Sequence, residues 1–185
     1  MKTYYLTGKK IYFRPYQAED VKTCMFNWVN DPEVTYFMLT GQKPVTMDAL
    51  LKEYETLIND SKNSIFSIVD KKTDKMIGII GLYNVRPVVY AAELRIIVGE
   101  KSVWGKGYGT EACLMLLDYA FNRLNLHKVF LGVNNDNKGA VKCYKKAGFV
   151  DEGILRDEIY RNGRFYDALR MSILRNEYDK LNRKK

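Results

Sequence analysis

VGEKSVWGKGYGTEA, residues 98–112, is the stretch that decides the fold of this chain. Glycines stand at Gly105, Gly107 and Gly109. A helical pattern begins directly after them, with Ala112, Leu116, Leu117, Tyr119 and Ala120 making an apolar stripe over 109–124. A loop with so few side chains bares its backbone N–H groups where the first turn of a helix leaves its own without partners. That makes a seat for phosphate or pyrophosphate. The spacing is G-x-G-x-G. A dinucleotide fold would place G-x-G-x-x-G after the first strand of a βαβ unit, with a later acidic residue for the ribose. A nucleoside-triphosphate loop would end in Lys followed by Ser or Thr. Neither pattern is present in the run.

Outward from the loop, residues 92–98 predict the strand that feeds it, preceded by strands over 64–69 and 76–83 about the polar hairpin DKKTDK. Earlier still lie a strand over 11–15 and a helix over 20–28 with Val21, Cys24, Met25 and Trp28 on one face. A helix capped by Thr46 runs to Leu57. After the loop helix come a strand over 127–133, a helix over 137–147 closed by Gly148, and strands over 153–160 and 165–174. The last two strands meet at Arg161-Asn162-Gly163, a strong hairpin signal. The order predicts an α/β (α+β mixed) fold, a twisted mixed sheet flanked by helices, in one domain over 1–185 with a frayed basic tail at 176–185.

Composition excludes several classes. No apolar run is long enough to span a membrane, and the opening MKTYYLTGKKIYF lacks the apolar stretch of a signal peptide. Cys24, Cys113 and Cys143 are scattered among apolar residues and His127 is the single histidine, so reduced core thiols in a cytoplasmic protein are expected, without a metal site. The net charge of +8 is spread over short Lys pairs and the termini, with no basic-aromatic stripe. Solvated surface is therefore expected, rather than a nucleic-acid face, with some electrostatic attraction for small anions.

Four segments carry a family resemblance: IYFRPYQAEDV, WVNDPEV, WGKGYGTEA and NNDNKGAVKCYKKAGF. In this order, and with LHKVFLGV between the last two, they resemble the GCN5-related N-acetyltransferases, GNAT. Within that superfamily they resemble the branch of ribosomal-protein N-terminal and spermidine acetyltransferases. The closing YRNGRFYDALRMSILRNEY is similar to the final hairpin of that branch. The resemblance implies the acyl-CoA N-acyltransferase fold, and acetyl-CoA as co-substrate with Trp104, Gly105, Lys106, Gly107, Tyr108, Gly109 and Thr110 around its pyrophosphate. Gly107 and Gly109 match the family's glycine positions, while Trp104 stands where the family carries Arg or Gln. A solvent-facing role for Lys106 remains open.

The same resemblance places Asn137 on the coenzyme arm and makes the Tyr144 hydroxyl the proton donor to the thiolate leaving group. An ordinary tyrosine, of pKa about 10, stays protonated at neutral pH and suits that task. Helix capping for Asn137 and core packing for Tyr144 are the plainer alternatives. Backbone N–H groups around Ile97 and Val98 would hold the acetyl carbonyl oxygen. Glu93 is the candidate proton acceptor for the amine, against a salt bridge with a basic neighbour. Transfer is expected to be direct, from acetyl-CoA to a primary amine in a ternary complex.

The acceptor pocket is expected around Trp28, Tyr36, Arg86 and Tyr90, with positive charge from Arg14, Arg161 and Arg164. Too few carboxylates converge there to favour a polyamine. The expected acceptor is thus a protein N-terminal α-amine. An amine on an anionic metabolite such as a nucleotide-linked amino sugar, a polyamine, or an aminoglycoside is the alternative, and a silent acyl-CoA-binding protein a further one. Edge strands near the last hairpin could pair in a homodimer.

Overall fold

Eight strands form one sheet in a computed structural model that describes residues 4–183. They are β1 (Leu6–Thr7), β2 (Ile11–Pro15), β3 (Ser64–Asp70), β4 (Met76–Arg86), β5 (Ala91–Val98), β6 (Lys128–Asn134), β7 (Val150–Arg161) and β8 (Arg164–Leu174). Their order in space is β1-β2-β3-β4-β5-β6-β8-β7. All neighbours are antiparallel except β5 and β6, so the sheet is mixed, as expected. The one parallel pair needs a crossover, and the loop helix supplies it. Turn chemistry sets the last hairpin. Asn162 and Gly163 both take positive φ, 51° and 81°, which matches the right-handed strand twist.

Helices cover both faces. On one lie α1 (Ala18–Asp20), a π-helical turn over Val21–Met25, α2 (Phe26–Val29) and α3 (Met47–Asn59). Thr46 caps α3, its hydroxyl accepting from the Ala49 N–H at 3.3 Å. Val21, Met25, Val29 and Leu50 pack there against Met76 and Ile79. On the other face α4 (Tyr108–Asp118) runs on into a second π-helical turn, Tyr119–Arg123. Its apolar stripe buries Ala112, Leu116, Leu117 and Ala120 completely, against Phe13, Ile80, Leu82 and Leu131. Each such leucine contributes about 1.5–3 kcal/mol of burial. α5 (Lys138–Ala147) ends at Gly148, whose φ of 101° is the left-handed stop expected of a glycine.

The tail expected at 176–185 is corrected over most of its length, because Arg175–Asn182 form α6. Tyr178 holds that helix to the core. Its ring stacks on Phe121 at 4.7 Å and its hydroxyl donates to Asp118 at 2.9 Å. Two apolar side chains, Tyr178 and Leu181, in a charged run were too little signal to reveal this in the sequence. The last two lysines of the expected tail lie outside the described residues.

Candidate active site

The parallel pair is short. β5 and β6 are joined only from Ala91↔Lys128 to Glu93↔Phe130, after which β5 continues alone with β4 and β6 alone with β8. The strands part, and a cavity of about 770 Å³ opens at the gap. One wall comes from Ile96, Ile97 and Val98, the loop residues Trp104, Gly105 and Gly107, and the first turn of α4. A second wall comes from α5, including Asn137, Cys143 and Tyr144. A third comes from Glu33, Val34, Tyr36, Phe37 and Met38.

Peptide groups alternate along a strand, which sorts the donors of β5. A Cβ built on Gly78 would stand 2.2 Å from the Ile97 carbonyl oxygen, so the Ile97 peptide groups face β4. Those of Ile96 and Val98 therefore face the gap. Of the two residues expected to hold a carbonyl oxygen, Val98 presents its N–H to the cavity and Ile97 lends only its side chain. The Val98 carbonyl is occupied, accepting from the Trp104 indole N–H at 2.7 Å. Trp104 thus pins the start of the loop to the end of the strand, a contact that its departure from the family pattern did not reveal.

The loop turns at Gly105 and Gly107, with φ of 71° and 84°. Those values are strained for any residue with a Cβ. No atom lies within 4 Å of a Cβ placed on Gly105, so this side of the loop is an open cradle. Gly107 is the N-cap of α4 and has no side chain with which to cap it. The N–H groups of Tyr108, Gly109 and Thr110 are consequently first-turn donors without a helical partner, at the positive end of the helix dipole. Residues and backbone here fit a pyrophosphate. Tyr108 turns its hydroxyl away to Asp70, at 3.3 Å. Lys106 is exposed and outside the cavity; its carbonyl accepts from Lys10 Nζ at 2.8 Å.

On α5, Asn137 caps the helix, its side-chain oxygen accepting from the Ala140 N–H at 3.0 Å while it also borders the cavity. Tyr144 is only 9% exposed, edge-on to Phe149, and lines the same cavity. Burial, with the nearby Cys113 and Cys143 thiols, pushes its hydroxyl well above the usual phenol range. Cys143 goes the other way, down to about 7, through a hydrogen bond with Cys113, helped by the Thr110 hydroxyl at 3.4 Å and Lys146. Lys142 and Lys146 also border the cavity. Sequence reasoning treated Lys146 as solvated surface. The usable signal was the four-residue spacing of the two lysines, which puts both on one flank of the helix.

Other expected residues lie elsewhere. Tyr36 lines the cavity, but Trp28 does not: a Cβ on Gly99 would fall 2.0 Å from its ring, so the indole fills space beneath the strand end. Arg86 lies over the Phe130 ring at 5.3 Å. Tyr90 holds a left-handed φ of 47°, and its carbonyl accepts from the His127 N–H at 2.6 Å. Glu93 is outside the cavity, ion-paired with Arg95 at 2.7 Å, which is the salt bridge weighed against a catalytic role. The positive charge expected around the acceptor is also engaged. Arg14 pairs with Asp20 at 2.5 Å, Arg164 with Asp136 at 3.5 Å, and Arg161 is buried against backbone carbonyls. What borders the third wall instead is acidic: Glu33, with Asp31 beside it, both paired to Lys101 at 2.8 and 2.9 Å.

Residues 10–150 match the model of the acetyltransferase (GNAT) domain. The chain is 32% identical over 182 residues to an uncharacterized N-acetyltransferase, p20, of Bacillus licheniformis, covering 96% of this chain and 99% of that protein. It is 36% identical over 133 residues to the spermidine N(1)-acetyltransferase of Vibrio cholerae, covering 72% and 76%. The crystal structure of spermidine N-acetyltransferase from Vibrio cholerae in complex with CoA and spermine superposes with a TM-score of 0.83 at 31% identity, covering 91% of this chain and 98% of that one. Strand order, glycine loop and family match agree: the chain belongs to the GNAT acetyltransferase family and is an acetyl-CoA-dependent N-acetyltransferase.

Proposed function

We propose that this acetyltransferase acts on a primary amine of a polyamine, with spermidine as the reference acceptor. The observation that carries this is the charge of the third wall. Glu33 borders the cavity and Asp31 adjoins it; both share the single Lys101, which leaves one net negative charge there, whereas Arg14, Arg161 and Arg164, which suggested an anionic acceptor, are each held by other groups. Carboxylates at the mouth attract an oligocation and disfavour a nucleotide-linked sugar. The spermidine acetyltransferases among the relatives support the same choice. Support for the protein N-terminal α-amine is correspondingly weaker than the sequence suggested.

In this reading the first turn of α4 and the Gly105–Gly107 cradle bind the pyrophosphate through backbone donors, with Lys142 and Lys146 adding charge. The Val98 N–H takes the carbonyl oxygen and stabilises the charge that develops on it. The amine lone pair forms the new N–C bond and the C–S bond breaks. Tyr144, held protonated by its burial, gives its proton to the departing sulfur. The proton shed by the nitrogen passes to water, since Glu93 is tied to Arg95 outside the cavity, and water returns a proton to Tyr144 to close the cycle. A homodimer would form along β7, whose first nine residues are all exposed at the sheet edge, and sedimentation measures it. Three free cysteines suit a cytoplasmic location.

The deciding experiment measures acetyl-CoA consumption against spermidine, peptides with free N-termini and a nucleotide-linked amino sugar. Spermidine is expected to give the highest kcat/KM. A preference for either other acceptor overturns the polyamine reading, and no turnover with any of them overturns the proposed chemistry.

A further inference from the structure

The third wall is part of an irregular segment, residues 31–44, that contains no helix or strand. Its ends are clipped together by Asn30, whose amide donates to the Val45 carbonyl at 3.0 Å and accepts from the Val45 N–H at 2.9 Å. Near the start, Lys101 holds Asp31 and Glu33. Near the end stands a less ordinary contact. Arg161 is only 6% exposed, and among the described residues no carboxylate pairs with it. Its guanidinium donates instead to the carbonyls of Met38 at 2.9 Å, Thr40 at 2.7 Å and Gly41 at 3.3 Å, and to the Thr35 hydroxyl at 3.3 Å. Beside it, the Gln42 amide donates to the Tyr160 carbonyl at 3.0 Å.

A buried cation without a counter-ion is tolerated only if its donors are satisfied, so this arginine demands that carbonyl arrangement. Three of the acceptors are main-chain atoms, which means the guanidinium holds a loop shape rather than particular side chains. The shape is tight: Gly41 has φ +87°, and a Cβ there would fall 2.3 Å from Thr35 Oγ1. The enclosed turn carries Tyr36, Phe37 and Met38, which with Val34 just before it make the apolar part of the third wall. Arg161 reaches it because the Asn162-Gly163 turn ends β7 and puts Arg161 on the same face as buried Ile159.

We propose that Arg161 is a positioning residue for the acceptor: it fixes the Thr35–Gly41 turn from the tip of the β7–β8 hairpin and so sets the amine KM without touching the amine. This rests on the reading of the third wall as the acceptor side. Three variants test it, Arg161→Ala, Arg161→Lys and Gly41→Ala, each followed by chymotrypsin cleavage at Tyr36–Met38, spermidine KM and kcat, and calorimetric coenzyme A affinity. For Arg161→Ala, cleavage at this turn is expected to quicken by more than about tenfold and spermidine KM to rise by a similar factor. Coenzyme affinity should stay within about threefold, because the backbone cradle lies on another wall. Lysine, which cannot span four acceptors, should fall between alanine and the parent. Gly41→Ala should reproduce the alanine pattern by undoing the same turn from inside, and carries the test if Arg161→Ala does not fold.

Unchanged cleavage in Arg161→Ala overturns the clamp. Faster cleavage with unchanged spermidine KM overturns the positioning role, as does an equal loss of coenzyme affinity. If the parent enzyme ignores spermidine, the polyamine reading fails by itself, and cleavage together with KM for the preferred amine still decides the role of Arg161.

Discussion

The wall formed by Trp104–Thr110 and the wall formed by Glu33–Met38 face one cavity, but they are assembled differently. The first is a run of neighbours in the chain. Its donors are backbone N–H groups, its turns are glycines at φ 71° and 84°, and Trp104 ties it to Val98 six residues back. Tyr108, Thr110 and the Lys106 carbonyl add contacts to Asp70, Cys143 and Lys10 around a shape already set locally. The second has no regular structure and is held from Lys101 and Arg161, far along the sequence. Local chemistry can make an anion seat by itself, because an uncapped helix start carries its donors with it. The wall proposed for the acceptor takes its shape from Lys101 and Arg161, so substitutions far along the chain are expected to change it.

The comparison can be tested by substitutions on the coenzyme side, whose effects should be separable from those at Arg161. The largest is expected for Tyr144→Phe. Loss of the proton donor should lower kcat by about 100-fold or more while coenzyme affinity stays within about twofold. Full turnover in steady state would remove Tyr144 from the acid role. Its burial also fixes a pH dependence: the hydroxyl titrates far above the neutral range, so any alkaline fall in rate below pH 10 belongs to another group.

Next comes Gly107→Val, which forces a β-branched residue into φ +84° at the start of α4. Strain of about 1–3 kcal/mol should weaken coenzyme binding by about 5- to 150-fold in calorimetry, with acceptor KM little changed. Unchanged affinity would contradict the anion seat. Trp104→Phe keeps an aromatic ring but loses the indole N–H and its hydrogen bond to Val98, worth about 0.5–1.5 kcal/mol, so a loss of about 2- to 10-fold in coenzyme affinity is expected. Glu93→Gln should do least, because a partly exposed ion pair contributes about 0–1 kcal/mol. Turnover should stay within about twofold with the same pH–rate profile. A shifted profile would return Glu93 to the proton path.

Legibility followed the range of the interactions. The seven longer strands, the Thr46 cap, the Asn162-Gly163 hairpin and the αL stop at Gly148 were visible, since each depends on periodicity or on one residue's φ preference. The two-residue β1 and the helix α6 were not, since one pairs over two residues and the other is held by Tyr178 on Phe121. Acceptor residues were the hardest. Trp28 and Arg86 are large or charged enough to suggest binding, yet each is spent on packing, against Gly99 and Phe130.

By itself, then, the stretch 92–112 determined a strand, a glycine turn with free backbone donors and a helix, because periodicity, glycine φ freedom and uncapped helix donors are properties of consecutive residues. The tertiary structure alone decided which peptide group of β5 faces the gap, since that depends on register against Gly78. It also decided that Glu93 is paired, that Lys146 faces the cavity, and that Arg161 holds carbonyls rather than an anion. A charged side chain does not carry its partner in the sequence; the partner is whatever the fold brings within reach.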